Sequence, residues 1–322
     1  MSFSNTYDTA NPGSAVGNRE SLLSELTILA PEETPVLSMA PKGTATASYH
    51  EWVVDLLEDP ITTGVLEGAD VTSFDDKFAN RAKLGNRMQK FRRNWKVSDE
   101  QEAITSVGPA GVAAAEIKSQ RELKRDIEAS LCSDNDRTTG TAGTAATLRG
   151  FGDWLDSGGP SDVPTGYRMP AASLEADGAN LTETELGGLI DSMYNENGEV
   201  NRTTGVFATA LRRATSDFTR SLAAANGTYQ VTQSADSKKI TLAVSTYESD
   251  HGIISLVTGN PKCMAGDAYR GYLLNTSHYG VDTLKPMGAK RLENQGGGER
   301  GFTDCILTLR VGSPLAHGKI TV

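Results

Sequence analysis

Asp134-Asn135-Asp136-Arg137-Thr138 has the DxDxT spacing of a phosphatase nucleophile. That chemistry needs its first aspartate at the tip of a buried parallel strand. Here the motif follows a charged helical stretch and Cys132-Ser133, with no β run ahead of it, so a polar loop after a helix is the expectation. Asp134 and Asp136 also sit two residues apart, as in a calcium loop, but the glycine and terminal glutamate of such a loop are missing. His50, His251, His278 and His317 show no HxH or HxxxH spacing, which argues against a metal site. GxSxG, GxxxxGK[ST] and a GxGxxG after a strand are all absent, and Gly296-Gly297-Gly298 reads as a flexible loop. The expectation is a protein with no catalytic residue, no metal and no cofactor.

Charge supplies the stronger pattern. From Glu51 to Asp76 there are eight acidic residues and no lysine or arginine; from Lys77 to Lys96 there are eight basic residues and no acid. Exposed ion pairs stabilise a fold by only about 0–1 kcal/mol each, so such sorting does little inside one domain. It is useful where a segment must find its mate, because charge sets steering and register. Trp52, Val53, Leu56, Phe91 and Trp95 interleave with the charges and need an apolar surface. An assembly arm is the expectation, ahead of a solvated hairpin and of a nucleic-acid surface, which the acidic half would repel.

The elements that must carry this arm follow from local pattern. The 322 residues, 38% hydrophobic with 33 glycines and a net charge of -10, suit a turn-rich globular protein without general affinity for nucleic acid. No apolar run approaches the ~18 residues of a membrane span, and the polar stretch 1–18 lacks the pattern of a signal peptide. Four Asn-x-Ser/Thr sequons therefore read as accidental, and the three distant cysteines as reduced thiols. Leu22, Leu23, Leu26 and Leu29 predict a short helix before Pro31, and Val36 to Met39 an apolar anchor. Ala45 to Leu57 reads as extended. Pro109 to Leu131 predicts the longest helix, with Leu123, Ile127 and Leu131 on one face and packed on a sheet. Thr182-x-x-Glu185 is a capping box. A second helix is expected over Gly205–Ala225, strands over Tyr229–Gln233, Lys239–Tyr247, Ile253–Val257 and Gly271–Asn275, a loop over Gly288–Gly301, and a last strand over Phe302–Val311. Helices followed by strands make the fold class α+β.

Ordered motifs extend the reading. Pro31-Glu32-Glu33-Thr34-Pro35, His50-Glu51-Trp52, Glu67-Gly68-Ala69-Asp70, Asn86-x-x-Gln89, Asp126-Ile127-Glu128, Arg149-Gly150-Phe151-x-x-Trp154, Tyr247-x-Ser249-Asp250-His251-Gly252 and Leu284-Lys285-Pro286 stand in this order. Together they resemble a branch of the major capsid proteins of tailed bacteriophages, with the Hong Kong 97-type fold, over residues 19–311. The chain departs at Asp99-Glu100, where that branch has Gly-Thr.

The resemblance implies an N-terminal arm and short helix (1–45), an extended loop (46–98), a peripheral domain (99–180) with its spine helix at 109–131, an axial domain (181–287), and a loop and return strand to the peripheral domain (288–322). It implies hexamers and pentamers of the chain itself, closing a shell around double-stranded DNA that is held without sequence specificity. Portal and scaffolding proteins would be further partners, with no membrane, and the location would be the virion after assembly in the host cytoplasm. Asp55, Glu58, Asp59, Glu67, Asp70, Arg87, Lys90, Arg92 and Arg93, with Trp52 and Trp95, are the expected subunit interface. Residues 1–18 are expected to order only against other subunits. A nanocompartment subunit of the same fold, packaging an enzyme in place of a genome, is the alternative; a phosphatase-like enzyme is a distant one.

Overall fold

The computed structural model describes residues 34–104, 110–197, 199–225 and 245–322. The polar segment 1–18, the helix over Leu22–Leu29, most of the Pro31–Pro35 turn, the helix start at Pro109, the stop at Gly198 and the strand Tyr229–Gln233 lie outside the described residues. So does most of the strand expected over Lys239–Tyr247, of which residues from 245 onward are described.

Two sheets build the body. The first has the order β1-β10-β11-β4, from Lys42–Thr44, Tyr279–Leu292, Glu299–Val311 and Gln89–Val97. The second has the order β5-β12-β9-β6-β8-β7, from Leu174–Glu175, Gly318–Ile320, Gly271–Asn275, Thr203–Phe207, Gly252–Thr258 and Thr246–Ser249. β2 (Tyr49–Val54) and β3 (Ala82–Arg87) form a separate antiparallel pair.

The spine helix is α3, Val112–Leu131, 20 residues long, or about 30 Å at 1.5 Å per residue. Gly111 caps it and the Glu102 carboxylate of α2 (Asp99–Ala103) accepts from the Val112 amide at 3.2 Å. Leu123, Ile127 and Leu131 are buried as their spacing predicts, packed with Phe91 of β4 and Leu307 and Leu309 of β11. Glu128 on the same face is buried too, and its carboxylate accepts from the amides of Val36 (2.9 Å) and Leu37 (2.8 Å). Those amides open α1, Pro35–Met39, so the expected apolar anchor is a helix capped by a distant side chain.

The short α4 (Phe151–Trp154) buries Phe151 and Trp154 in the first cluster, and a second apolar cluster lies between the six-stranded sheet and α5 (Glu183–Asn197), from which Leu186, Leu189, Ile190 and Met193 are buried. The capping box forms as written: the Thr182 amide donates to Glu185 at 2.7 Å and the Glu185 amide donates back at 3.3 Å. Leu211 of α6 (Thr209–Ala225) joins this cluster.

Four expectations are corrected. The helix expected from Gly205 begins at Thr209, because Thr203–Phe207 pairs with both β8 and β9 and tertiary pairing outweighs local helical spacing. The loop expected over Gly288–Gly301 shrinks to 293–298: Gly288 to Leu292 continue β10, and two bulges, between Thr283 and Gly288, admit Pro286 without ending the strand. The extended loop ends at Arg87, since Gln89–Val97 pairs with β11 along its whole length. Last, β1 and residues 279–287 belong to the first sheet, while the C-terminal β12 joins the second and does not return to the first.

Candidate assembly interface

β2 and β3 carry a segment, residues 55–81, that leaves the body without regular strand structure. The root is in exact register, Tyr49 opposite Arg87 and Val54 opposite Ala82. Trp52 is half-buried and leans on Trp154, ring centroids 6.0 Å apart. His50 meets the buried Asp282 of β10 at 2.9 Å. Gly68, with φ of 77°, makes the turn at the tip.

Sorted charges close this arm on itself near the root. Asp55 pairs with Arg81 at 2.9 Å and Glu58 with Lys77 at 2.6 Å, so the acidic outgoing half faces the basic returning half. Further out the pairing stops. Asp59, Glu67 and Asp70 are exposed and have no ion-pair partner among the described residues. The apolar residues there are uncovered: Leu57 is 97% exposed, Val65 86% and Phe74 89%, with Ile61, Leu66, Val71 and Phe78 alongside. A lone exposed leucine is ordinary, whereas a run of this kind is uncommon on the surface of a soluble domain.

The remaining expected interface residues lie on the body, and the structure divides them. β4 alternates, as strands do. Phe91, Arg93, Trp95 and Val97 face α3, where Arg93 pairs with Asp126 at 2.5 Å. Trp95 is buried with Val97 and Val112. Arg93 and Trp95 are thereby used within the subunit. Arg87 stacks on the Tyr49 ring at 4.8 Å.

Lys90, Arg92, Asn94 and Lys96 face the other way. Across the sheet their rows continue into β11 and β10: Lys96 with Arg300 and Leu292, Asn94 with Phe302 and Lys290, Arg92 with Asp304 and Gly288, Lys90 with Ile306 and Lys285. Six cations thus share one face with a single acid. That acid, Asp304, is buried beneath them; Lys285 hydrogen-bonds it, and Lys90 and Arg92 each approach to 3.9 Å. Burial pushes the Asp304 carboxyl up, but the Lys285 hydrogen bond and the nearby charges outweigh it, leaving the group below the ordinary carboxylate range. Arg92 lies over the Phe302 ring at 4.4 Å. Lys285, Lys290 and Arg300 were missed from sequence. Period-2 spacing along β10 and β11 was the available signal, hidden by the proline and glycines around it.

The DxDxT motif is not at a strand tip. It follows the end of α3, and Asp134 and Asp136 pair with Arg270 (2.7 Å) and Arg149 (2.6 Å). Among the described residues no three His, Cys, Asp or Glu side chains converge as metal ligands do, and no helix is long and apolar enough to cross a membrane.

The profile of a family described as SU10 major capsid protein matches residues 3–322. No curated protein sequence matches the chain. Among solved structures, the capsid of the cyanophage P-SCSP1u is similar at 12% identity and a TM-score of 0.59, over 97% of this chain and 94% of that one. Microbacterium phage Oxtober96 is similar at 12% identity and 0.61, over 98% and 99%. The SrpI encapsulin complex of Synechococcus elongatus PCC 7942 is similar at 12% identity and 0.55, over 98% and 94%.

Proposed function

The chain belongs to the SU10 major capsid protein family, and from that premise we propose that each copy lays its arm on a neighbour as part of an icosahedral wall. The wall closes as hexamers and pentamers around double-stranded DNA, in the host cytoplasm and with portal and scaffolding proteins as further partners. The protein is a structural capsid subunit of Hong Kong 97-type fold. One observation carries the reading of the arm: seven bulky apolar side chains between residues 57 and 78 stand in solvent. A two-stranded ribbon is marginal by itself in water. It becomes favourable when a second surface covers those side chains, at roughly 25 cal/mol per Å² of apolar area removed from water.

Charge supports the outer face of the first sheet as the receiving surface. Asp59, Glu67 and Asp70 have no ion-pair partner among the described residues, and four neighbouring rows on the outer face of the first sheet hold six cations against one acid. Complementary charge fixes which surface is chosen and in which register. The contact weakens with added salt, since exposed charges are screened over ~8 Å near physiological ionic strength.

Reversal and rescue test the proposal. Glu67→Lys with Asp70→Lys yields a soluble, folded protomer that forms no shells, and Lys96→Glu with Lys290→Glu in the same chain restores them. Normal shells from the first double variant at ordinary salt would overturn it. The encapsulin likeness makes cargo the second measurement: nuclease-protected DNA in purified particles supports the viral wall, and a packaged protein supports the nanocompartment.

A further inference from the structure

The loop that carries the DxDxT spacing has a place in the fold that its chemistry-like sequence does not suggest. Arg137 reaches from it to the root of the arm. One guanidinium nitrogen donates to the Tyr49 hydroxyl of β2 and to the Gly85 carbonyl of β3, the latter at 2.7 Å. The other terminal nitrogen meets Asp162 of the body at 2.9 Å. Arg137 therefore grips both strands of the root and ties them to the body through one rigid group. We propose that Arg137 is a positioning residue for assembly, setting the direction in which the arm leaves the subunit and hence where on the neighbour it lands. The proposal rests on the reading of the arm as an intersubunit element.

The physical reason lies in directionality. Burial of Trp52 against Trp154 holds the root to the body, but the hydrophobic effect has no preferred direction. A planar guanidinium with its donors in a fixed fork does. Direction matters here because the arm is long. From Val54 to the turn at Gly68 the chain can span up to roughly 45 Å at about 3.3 Å per residue, so a rotation of a few degrees at the root moves the tip by several ångströms.

The surroundings fix Arg137 in turn. Arg149, its side chain 2% exposed, bonds one oxygen of Asp136, next to Arg137 in sequence, and both oxygens of Asp162, which Arg137 also meets. Asn86 of β3 is fully buried; its side chain donates to the Arg149 and Leu309 carbonyls and accepts from the Arg149 amide at 2.8 Å. Gly85 leaves room for the grip, because a Cβ there would lie 2.7 Å from the Tyr49 hydroxyl. Burial pushes the Asp162 carboxyl up, but the bonds and charges of Arg149 and the charge of Arg137 bring it below its ordinary value. Asp162 thus stays ionised opposite Arg137.

Hydrogen exchange on the unassembled protomer, followed by assembly, tests this. In Arg137→Ala the amides shared by β2 and β3 should exchange about tenfold faster, the size of one charge-assisted hydrogen bond, with α3 amides unchanged. The variant should then give shells of mixed diameter or open sheets. Tyr49→Phe, which removes one acceptor and little else, should act in the same direction and keeps the test available if Arg137→Ala folds poorly. Arg137→Lys, which keeps the charge but loses the fork, should not restore uniform shells. Unchanged exchange at the root together with shells of uniform diameter in both Arg137→Ala and Tyr49→Phe would overturn the clamp. That result would leave the arm's own role intact, which falls only if Glu67→Lys with Asp70→Lys assembles normally.

Discussion

The arm and the spine helix invert the ordinary relation between composition and burial. Residues 55–81 contain eight bulky apolar side chains, counting Leu56, and α3 contains five. Four of the five in α3 are buried, Ile117 being the exception, whereas none of the eight in the arm is. The difference is not hydrophobicity. A helix laid across a four-stranded sheet has a second layer to bury against, and two antiparallel segments projecting from the body have none. In the proposed shell, a second copy would supply the layer that this extension lacks.

The largest expected effect tests the buried side of that contrast. Ile127→Ala should destabilise the protomer by about 2–5 kcal/mol, as methylene deletion at a fully buried site does, measured by urea unfolding of unassembled protein. A loss within ~0.5 kcal/mol would mean that α3 is not the core helix described here.

Next comes a pH dependence from the same helix. Burial pushes the Glu128 carboxyl up to about 7, although the Val36 and Leu37 amides that bond it pull the other way. The folded pKa lies above the unfolded value of 4.5, so the folded protein holds the proton longer. Stability should therefore fall as pH rises from about 4.5 to 7 and level off above that, by roughly 3 kcal/mol at about 1.4 kcal/mol per unit. Glu128→Gln should flatten the slope in that window. An unchanged slope would show that the carboxylate is not what titrates.

The smallest effect on stability falls on the arm. Phe74→Ser should change protomer stability by less than about 0.5 kcal/mol, as exposed substitutions do, yet reduce shell yield, measured by sedimentation. Arg81→Ala, which breaks an exposed pair with Asp55, should cost below about 1 kcal/mol. A large loss of protomer stability from Phe74→Ser would make the arm part of the subunit's own core and erase the contrast.

Much of this is legible in the sequence. Leu123, Ile127 and Leu131 marked the core face of α3, Thr182 and Glu185 marked the start of α5, and the order of short motifs led to the family. Each signal acts within a turn of helix or between adjacent residues, where local propensity and spacing decide structure. The acid-then-base blocks also marked the extension from β2 and β3, though they ran past its end at Arg87: Lys90 to Lys96 look like a continuation of the basic half until β11 pairs with them.

What the sequence determined by itself was therefore the core face of α3, the start of α5, the charge-sorted stretch that includes the arm, and the family. The tertiary structure alone decided which charges share a surface. Lys90 meets Lys285 and Asp304 across about two hundred residues of chain, and Arg137 meets Tyr49, Gly85 and Asp162 by the folding of a loop back onto the arm's root. Sheet register and loop return are set by long-range packing, and a one-residue slip of β4 would turn Lys90, Arg92 and Lys96 to the buried face.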